Sequence, residues 1–272
     1  MTKQFYPKKA LNVGLALLIT ATIGLTGCNS SKNAGAADEL ARAKKLIAQG
    51  NYAEAFMQLN QALSEAPRDP NVHLNLGWLY LYTGDEAHAE QELQTAKGLA
   101  PELAETYHLQ GSLYSYKAQH EKDPQAAKRN QEAAVENFNM ALQRDDKNYQ
   151  TYFDLATSLA ALDRSEEVLA TLDKGFDYIP KQDLETQVNF QIASCAAHAK
   201  LQLFEEAVAD CEQAQKFTAN PASRERIEEM IQNMKLMNPG LRTLTPEESP
   251  PEGSPEAKNA EEQAIINESA TD

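Results

Sequence analysis

Basic residues are scarce in this chain: 25 Lys and Arg stand against 40 Asp and Glu, a formal net charge of −15 over 272 residues. Such a deficit excludes the electrostatic footprint of a nucleic-acid binder and speaks against broad contact with anionic lipid headgroups. The acidity reads first as a solubility device, and it leaves basic partner segments electrostatically possible. The signs of catalysis are missing too, with no His-Glu-x-x-His, no Cys-x-x-Cys and no glycine-rich phosphate loop. His73, His88, His108, His120 and His198 are scattered, and Glu205-Glu206 and Glu228-Glu229 read as solvated helix faces, not paired catalytic carboxylates. We therefore expect no enzyme, no metal site and no cofactor. The apolar run from Leu11 to Gly24 is too short to cross a bilayer comfortably as a permanent helix, which takes ~20 residues. Cysteine is limited to Cys28, Cys195 and Cys211.

What the chain does have is a repeat. Gly50 and Gly84, Ala55 and Ala89, Leu59 and Leu93, Ala62 and Ala96, and Pro67 and Pro101 are all related by one offset of 34 positions. Within each unit Ala55, Leu59, Ala62 and Ala89, Leu93, Ala96 follow the i, i+4, i+7 spacing that lines one helix face. The closing proline ends one helix pair and opens the next unit. Small residues allow the two helices of a unit to approach, while Leu, Tyr and Phe fill the space between units. A helix pair with an internal glycine, a final proline and this period resembles the tetratricopeptide repeat (TPR).

The resemblance covers roughly residues 36–237. The second unit, Pro70 to Leu103, carries it best, with Leu76-Gly77 and Tyr80 ahead of Gly84, Ala89, Leu93, Ala96 and Pro101. The third starts at Ala104 with Tyr107, Gly111 and Tyr114, but Ala134, Phe138 and Ala141 arrive 11 positions late. An insertion around Lys117 to Arg129 therefore lengthens both helices, with Asp123-Pro124 as a helix start. A fourth unit, from Tyr149 to about Gln182, departs from the pattern at Asp163 and Val168. A fifth begins between Asp183 and Val188. A last helix from Asn220-Pro221 carries the stripe Ile227, Met230, Ile231, Met234 and Met237 and caps the array. The expected fold is all-α, a right-handed TPR superhelix of about five helix pairs plus a C-terminal capping helix.

Lys3, Lys8 and Lys9, with no acid among them, precede the short apolar run and then Leu25-Thr26-Gly27-Cys28, which together read as an export signal. Leu-Thr-Gly-Cys resembles the bacterial lipoprotein cleavage motif. That resemblance implies cleavage before Cys28, a diacylglycerol on its thiol and an acyl chain such as palmitate on its new amino group, enough for stable anchoring. The other reading is an ordinary secretory signal followed by an incidental cysteine. Losing three lysines with residues 1–27 would move the formal charge from −15 to −18. Asn29 is not the aspartate that retains many lipoproteins at the inner membrane, which favours the periplasmic face of the outer membrane. The domain expectation is a signal at 1–27, a flexible lipidated tether at 28–37, repeats at 38–237 and a disordered acidic, proline-rich tail at 238–272.

In the register of the fifth unit Cys195 and Cys211 face each other across the helix turn. Two readings stand: a disulfide stapling the pair, or two buried thiols in small-residue packing slots. By the TPR resemblance, certain first-helix positions line the inner face. These are Leu74, Trp78, Leu81 and Tyr82, with Asn71, then His108, Ser112 and Tyr116, then Phe153 and Thr157. Aromatics along a concave strip imply a groove for an extended or helical partner segment. The carboxylate clamp of some cytosolic relatives is not matched, since Leu40 and Lys44 occupy its first slots. The expected function is a non-catalytic, lipid-anchored scaffold or adaptor that binds protein in assembly of a bacterial envelope complex. Pilotin-like factors for type IV pilus secretins, adaptors for envelope proteases and peptidoglycan hydrolases, and a component of the β-barrel assembly machinery share this plan, which does not choose among them. The alternative is a solute- or glycan-binding lipoprotein, or an enzyme with an unrecognised site.

Overall fold

The computed structural model describes residues 30–238, 240 and 241. Cys28 and the tail beyond Leu241, with the expectations attached to them, lie outside the described residues. The elements are α1 Ser30–Ala48, α2 Tyr52–Glu65, α3 Pro70–Thr83, α4 Glu86–Leu99, α5 Ala104–His120, α6 Pro124–Arg144, α7 Tyr149–Ala161, α8 Ser165–Phe176, α9 Leu184–Lys200, α10 Phe204–Phe217 and α11 Pro221–Met237. Among the described residues there is no strand.

The helix starts follow from local chemistry. Asp69, Asp123 and Asn220 each accept a hydrogen bond from a first-turn backbone N–H, and each is followed by proline at the first helical position. Asp85 caps α4 by accepting from the His88 N–H, and that bond, with the His88 side chain, holds its carboxyl below the usual range. The turn inside a unit needs a left-handed residue: Gly50 and Gly84 supply it at φ 73° and 82°, while Asp163 and Gln202 adopt it at 59° and 62°.

Helices pair in order, and each pair packs on the next. Four apolar clusters run along the array, from one around Ala36 to Leu79 to one around Val188 to Met234. The repeated small residues are the contact points: Ala55, Ala89, Ala134 and Ala207 are fully buried. Gly111 lies under the Phe138 ring, where a Cβ would come within 2.7 Å of two of its carbons. Cys195 and Cys211 fill the same pair of slots in the last unit, fully buried, with their sulfurs at bonding distance and Cα atoms 5.5 Å apart. Cα atoms stand ~2.3 Å off each helix axis, so this separation fits helices packed at the ordinary ~8–10 Å and lies within the span of a disulfide.

Two expectations are revised. α1 begins at Ser30 and takes in most of the segment expected as a tether; Ala36 is buried, so the packed domain starts at or before it. The fourth unit, which departs from the repeat pattern at Val168, buries Val168 and Leu172 in its core. At Gly175, where the other units have alanine, an added Cβ would lie 2.5 Å from that of Tyr152. In the capping stripe Ile227, Ile231 and Met234 are buried but Met237 is 64% exposed, beyond the end of α10. The insertion behaves as read, extending α5 to 17 residues and α6 to 21, against 14 in α3 and α4.

Candidate partner-binding groove

Which helices meet defines the inner face. α1 touches α3, α3 touches α5, α5 touches α7 and α7 touches α9, whereas among the described residues no comparable run joins the even-numbered helices. The odd helices therefore lie inside the curve.

On this face three rings stack in sequence. Tyr52 lies nearly parallel to Tyr82 with centroids 6.1 Å apart, and Tyr82 lies on Trp78 at 5.9 Å. Trp78 meets the His108 imidazole edge to face at 5.1 Å, and His108 abuts Phe138 of α6 at 5.7 Å. Ring pairs of this kind contribute about 0.5–1.5 kcal/mol each beyond their buried area, so the strip is a preorganised wall. The buried His108 places Nε2 2.7 Å from Asp154 Oδ2 on α7, tying the third unit to the fourth across the inner face. Burial pushes the Tyr82 phenol up, with the Asp154 charge and Tyr52 adding to the effect.

Ser112 and Tyr116 continue the strip along α5, half-buried; the Tyr116 ring lies 4.1 Å from His120 and its hydroxyl sits against the Gly84 turn. On α7 Phe153 packs against Phe190 at 5.3 Å, and Thr157 is exposed with its hydroxyl donating to the Phe153 carbonyl. Leu74 and Leu81 do not line the groove. They are 3% and 6% exposed and belong to the core with Leu93, Leu109 and Leu113. Their side of α3 turns toward the next unit, where burying a leucine is worth about 1.5–3 kcal/mol.

Sequence reasoning missed Tyr52 and Asp154. Tyr52 opens a second helix and reaches the strip from the turn, a placement that no inner-helix register predicts. Asp154 left a signal: it holds the register slot of Asn75, a charged residue on an inner helix between Phe153 and the buried Leu155.

The other histidines make local partners. His73 lies between Glu92 and the Pro67 carbonyl, and His198 is 2.8 Å from Asp210, each pair within one unit. Among the described residues no group of three or more His, Cys, Asp or Glu side chains could hold a metal ion, and no helix is long and apolar enough to cross a membrane. A recess of about 350 Å³ lies between α2 and α3, lined by Tyr52, Phe56, Leu79 and Tyr80. At its edge the Thr83 hydroxyl donates to the Leu79 and Tyr80 carbonyls of its own helix, so it does not turn toward a ligand.

The tetratricopeptide repeat family profile matches residues 46–113, from the end of α1 to the middle of α5. The fold is a tetratricopeptide-repeat superhelix. TTC0263, a thermophilic TPR protein in Thermus thermophilus, is similar over 72% of this chain and 99% of its own, at 19% identity and a TM-score of 0.62. Pseudomonas aeruginosa pilF is similar over 78% and 96%, at 12% identity and a TM-score of 0.58. A human IFIT1 dimer solved with m7Gppp-AAAA is similar over 74% of this chain but 46% of its own, at 15% identity and a TM-score of 0.64. At these identities the likeness is one of TPR fold. No curated protein sequence matches the chain.

Proposed function

We propose that this chain is a non-catalytic, lipid-anchored scaffold that holds a protein segment in its TPR groove during assembly of a bacterial cell-envelope complex. The observation that carries the reading is the aromatic wall of Tyr52, Tyr82 and Trp78 on the inner face of an open superhelix. Large rigid aromatics of this kind concentrate binding energy at interfaces. The anchor rests on Leu25-Thr26-Gly27-Cys28 after a short apolar run, and placement at the periplasmic face of the outer membrane rests on Asn29. An oxidising compartment accords with a cysteine pair at bonding distance.

A photo-crosslinking residue placed at Ser112, with one at Gln213 on the outer helix α10 as control, tests the groove in the native cell. Capture of the same envelope protein at Ser112 and not at Gln213 is expected, and Trp78→Ala should weaken that capture by ~2 kcal/mol or more without changing helix content. Equal capture at both sites would reject the groove. Fractionation tests the anchor: Cys28→Ala should release the protein from membranes, and a variant that still pellets in high salt and carbonate would sink it.

A second reading, a solute- or glycan-binding lipoprotein, would use the recess beside Phe56. It predicts that Phe56→Ala, and not Trp78→Ala, removes binding of the small molecule.

A further inference from the structure

The inner face carries a charge at its middle, and its sign is negative. The slots around it on α3, α5 and α7 hold Asn75, Trp78, Tyr82, Ser112, Tyr116 and Thr157, none of them charged at neutral pH. Asp154, with its side chain 24% exposed, and Glu105, in the register slot of Asn71 on α5, are the charged exceptions, and both are acidic. The other buried histidine–carboxylate pairs, His73 with Glu92 and His198 with Asp210, each lie inside a single helix pair and staple it. His108 and Asp154 belong to different units and meet on the face that the odd helices share. Among the described residues no lysine or arginine lies within ion-pair distance of Asp154, whereas Glu86, Glu90, Glu102 and Asp163 all have one. His108 Nε2, 2.7 Å from Oδ2, holds the carboxylate in place on the inner face. The field of that charge reaches Tyr82, on the helix two places along the inner layer.

We propose that the groove selects a partner segment carrying a lysine or arginine, with Asp154 as the counter-ion of that side chain and the Trp78–Tyr82 stack as the wall beside it. This deepens the scaffold reading and rests on it. A carboxylate in a partly desolvated groove, held in place by a hydrogen bond and with no lysine or arginine beside it, is stabilised by an incoming cation more than a solvated one would be. The overall charge of −15 steers basic segments toward the same site. An acidic segment would meet like charge in the middle of the groove.

The test is selection of a random-peptide display library on the full chain in detergent micelles. The selected peptides are then synthesised and titrated by the fluorescence of Trp78, the only tryptophan in the chain. Convergence on a basic position is expected. Asp154→Asn keeps an acceptor for His108 and should weaken those peptides about tenfold or more, with helix content and melting retained. Selection on Asp154→Lys should turn the preferred residue acidic. Peptides that shift Trp78 fluorescence yet show no basic preference, or bind Asp154→Asn equally well, would overturn the cation assignment and leave the groove standing. Binding that leaves Trp78 unperturbed, or a library that yields no binder, would overturn the groove reading itself.

Discussion

Two glycines that look alike in sequence are under opposite constraints. Gly175 lies in α8, where an added Cβ would come within 2.5 Å of the Tyr152 Cβ and 2.9 Å of the Phe190 ring. A Cβ cannot rotate away as a side-chain tip can, so Gly175→Ala forces the α7–α8 backbones apart. It should destabilise by about 1–3 kcal/mol despite the better helix propensity of alanine. Gly98, in the last turn of α4, has nothing within 4 Å of an added Cβ. Gly98→Ala should stabilise by up to about 1 kcal/mol for propensity alone. Chemical denaturation of both variants decides it, and a Gly175→Ala protein as stable as wild type would disprove the close crossing. The sequence showed Gly175 only as a departure from the alanine of the other units. Its reason was not legible, because it depends on Tyr152 and Phe190 closing on the α8 backbone in three dimensions. The same holds for Leu74 and Leu81: register placed them on the inner face, but they turn into the core against Leu93, Leu109 and Leu113, a contact visible only in three dimensions.

At the scale of elements, the second-helix slots were the most legible feature, since Ala55, Leu59 and Ala62 recur in place and are all fully buried. The turn slot was half legible. Glycine marks it in two units, and the structure keeps the left-handed turn at Asp163 and Gln202, where no glycine announces it. The groove was legible as a register strip and not as a stack, because Tyr52 enters it from a turn. The α5–α6 extension was read correctly from the late arrival of Ala134, and its exposure now yields a prediction. Residues 119–125 are all exposed, and the ion pairs of Lys117 with Glu86 and Glu90 lie at the base of the extension. Deleting 11 residues, 118–128, restores the repeat period. It should leave melting within about 1 kcal/mol of wild type, since little apolar surface is lost and exposed ion pairs contribute little. Trp78 fluorescence and partner capture should both persist. Loss of capture with an unchanged melt would move the binding site from the groove to the extension.

On the scale of the whole molecule, an array in which each unit contacts only its neighbours distributes its stability unevenly, as a sum of local units and interfaces. The C-terminal end is the one that ends on a single helix, with α11 packed on α10 and Leu236 79% exposed beside Met237. The cysteine pair sits next to that end, joining α9 and α10 across a sequence separation of 16. Closing a loop of this size contributes ~3 kcal/mol in the chain-entropy model. In a one-dimensional array that contribution should be felt locally. Protein unfolded with thiol and refolded reduced, compared with the oxidised form by hydrogen exchange, should therefore show faster exchange in α9 to α11, while α1 to α5 exchange alike in both. Neither sulfur is accessible in the fold, so reductant added to native protein should act only as fast as that end opens. Uniform acceleration along the array would mean the repeats unfold as one unit and the staple is global. Full alkylation of Cys195 and Cys211 in protein drawn directly from its native compartment would instead show that the bond is absent there, leaving two small side chains whose part is to let α9 and α10 cross closely.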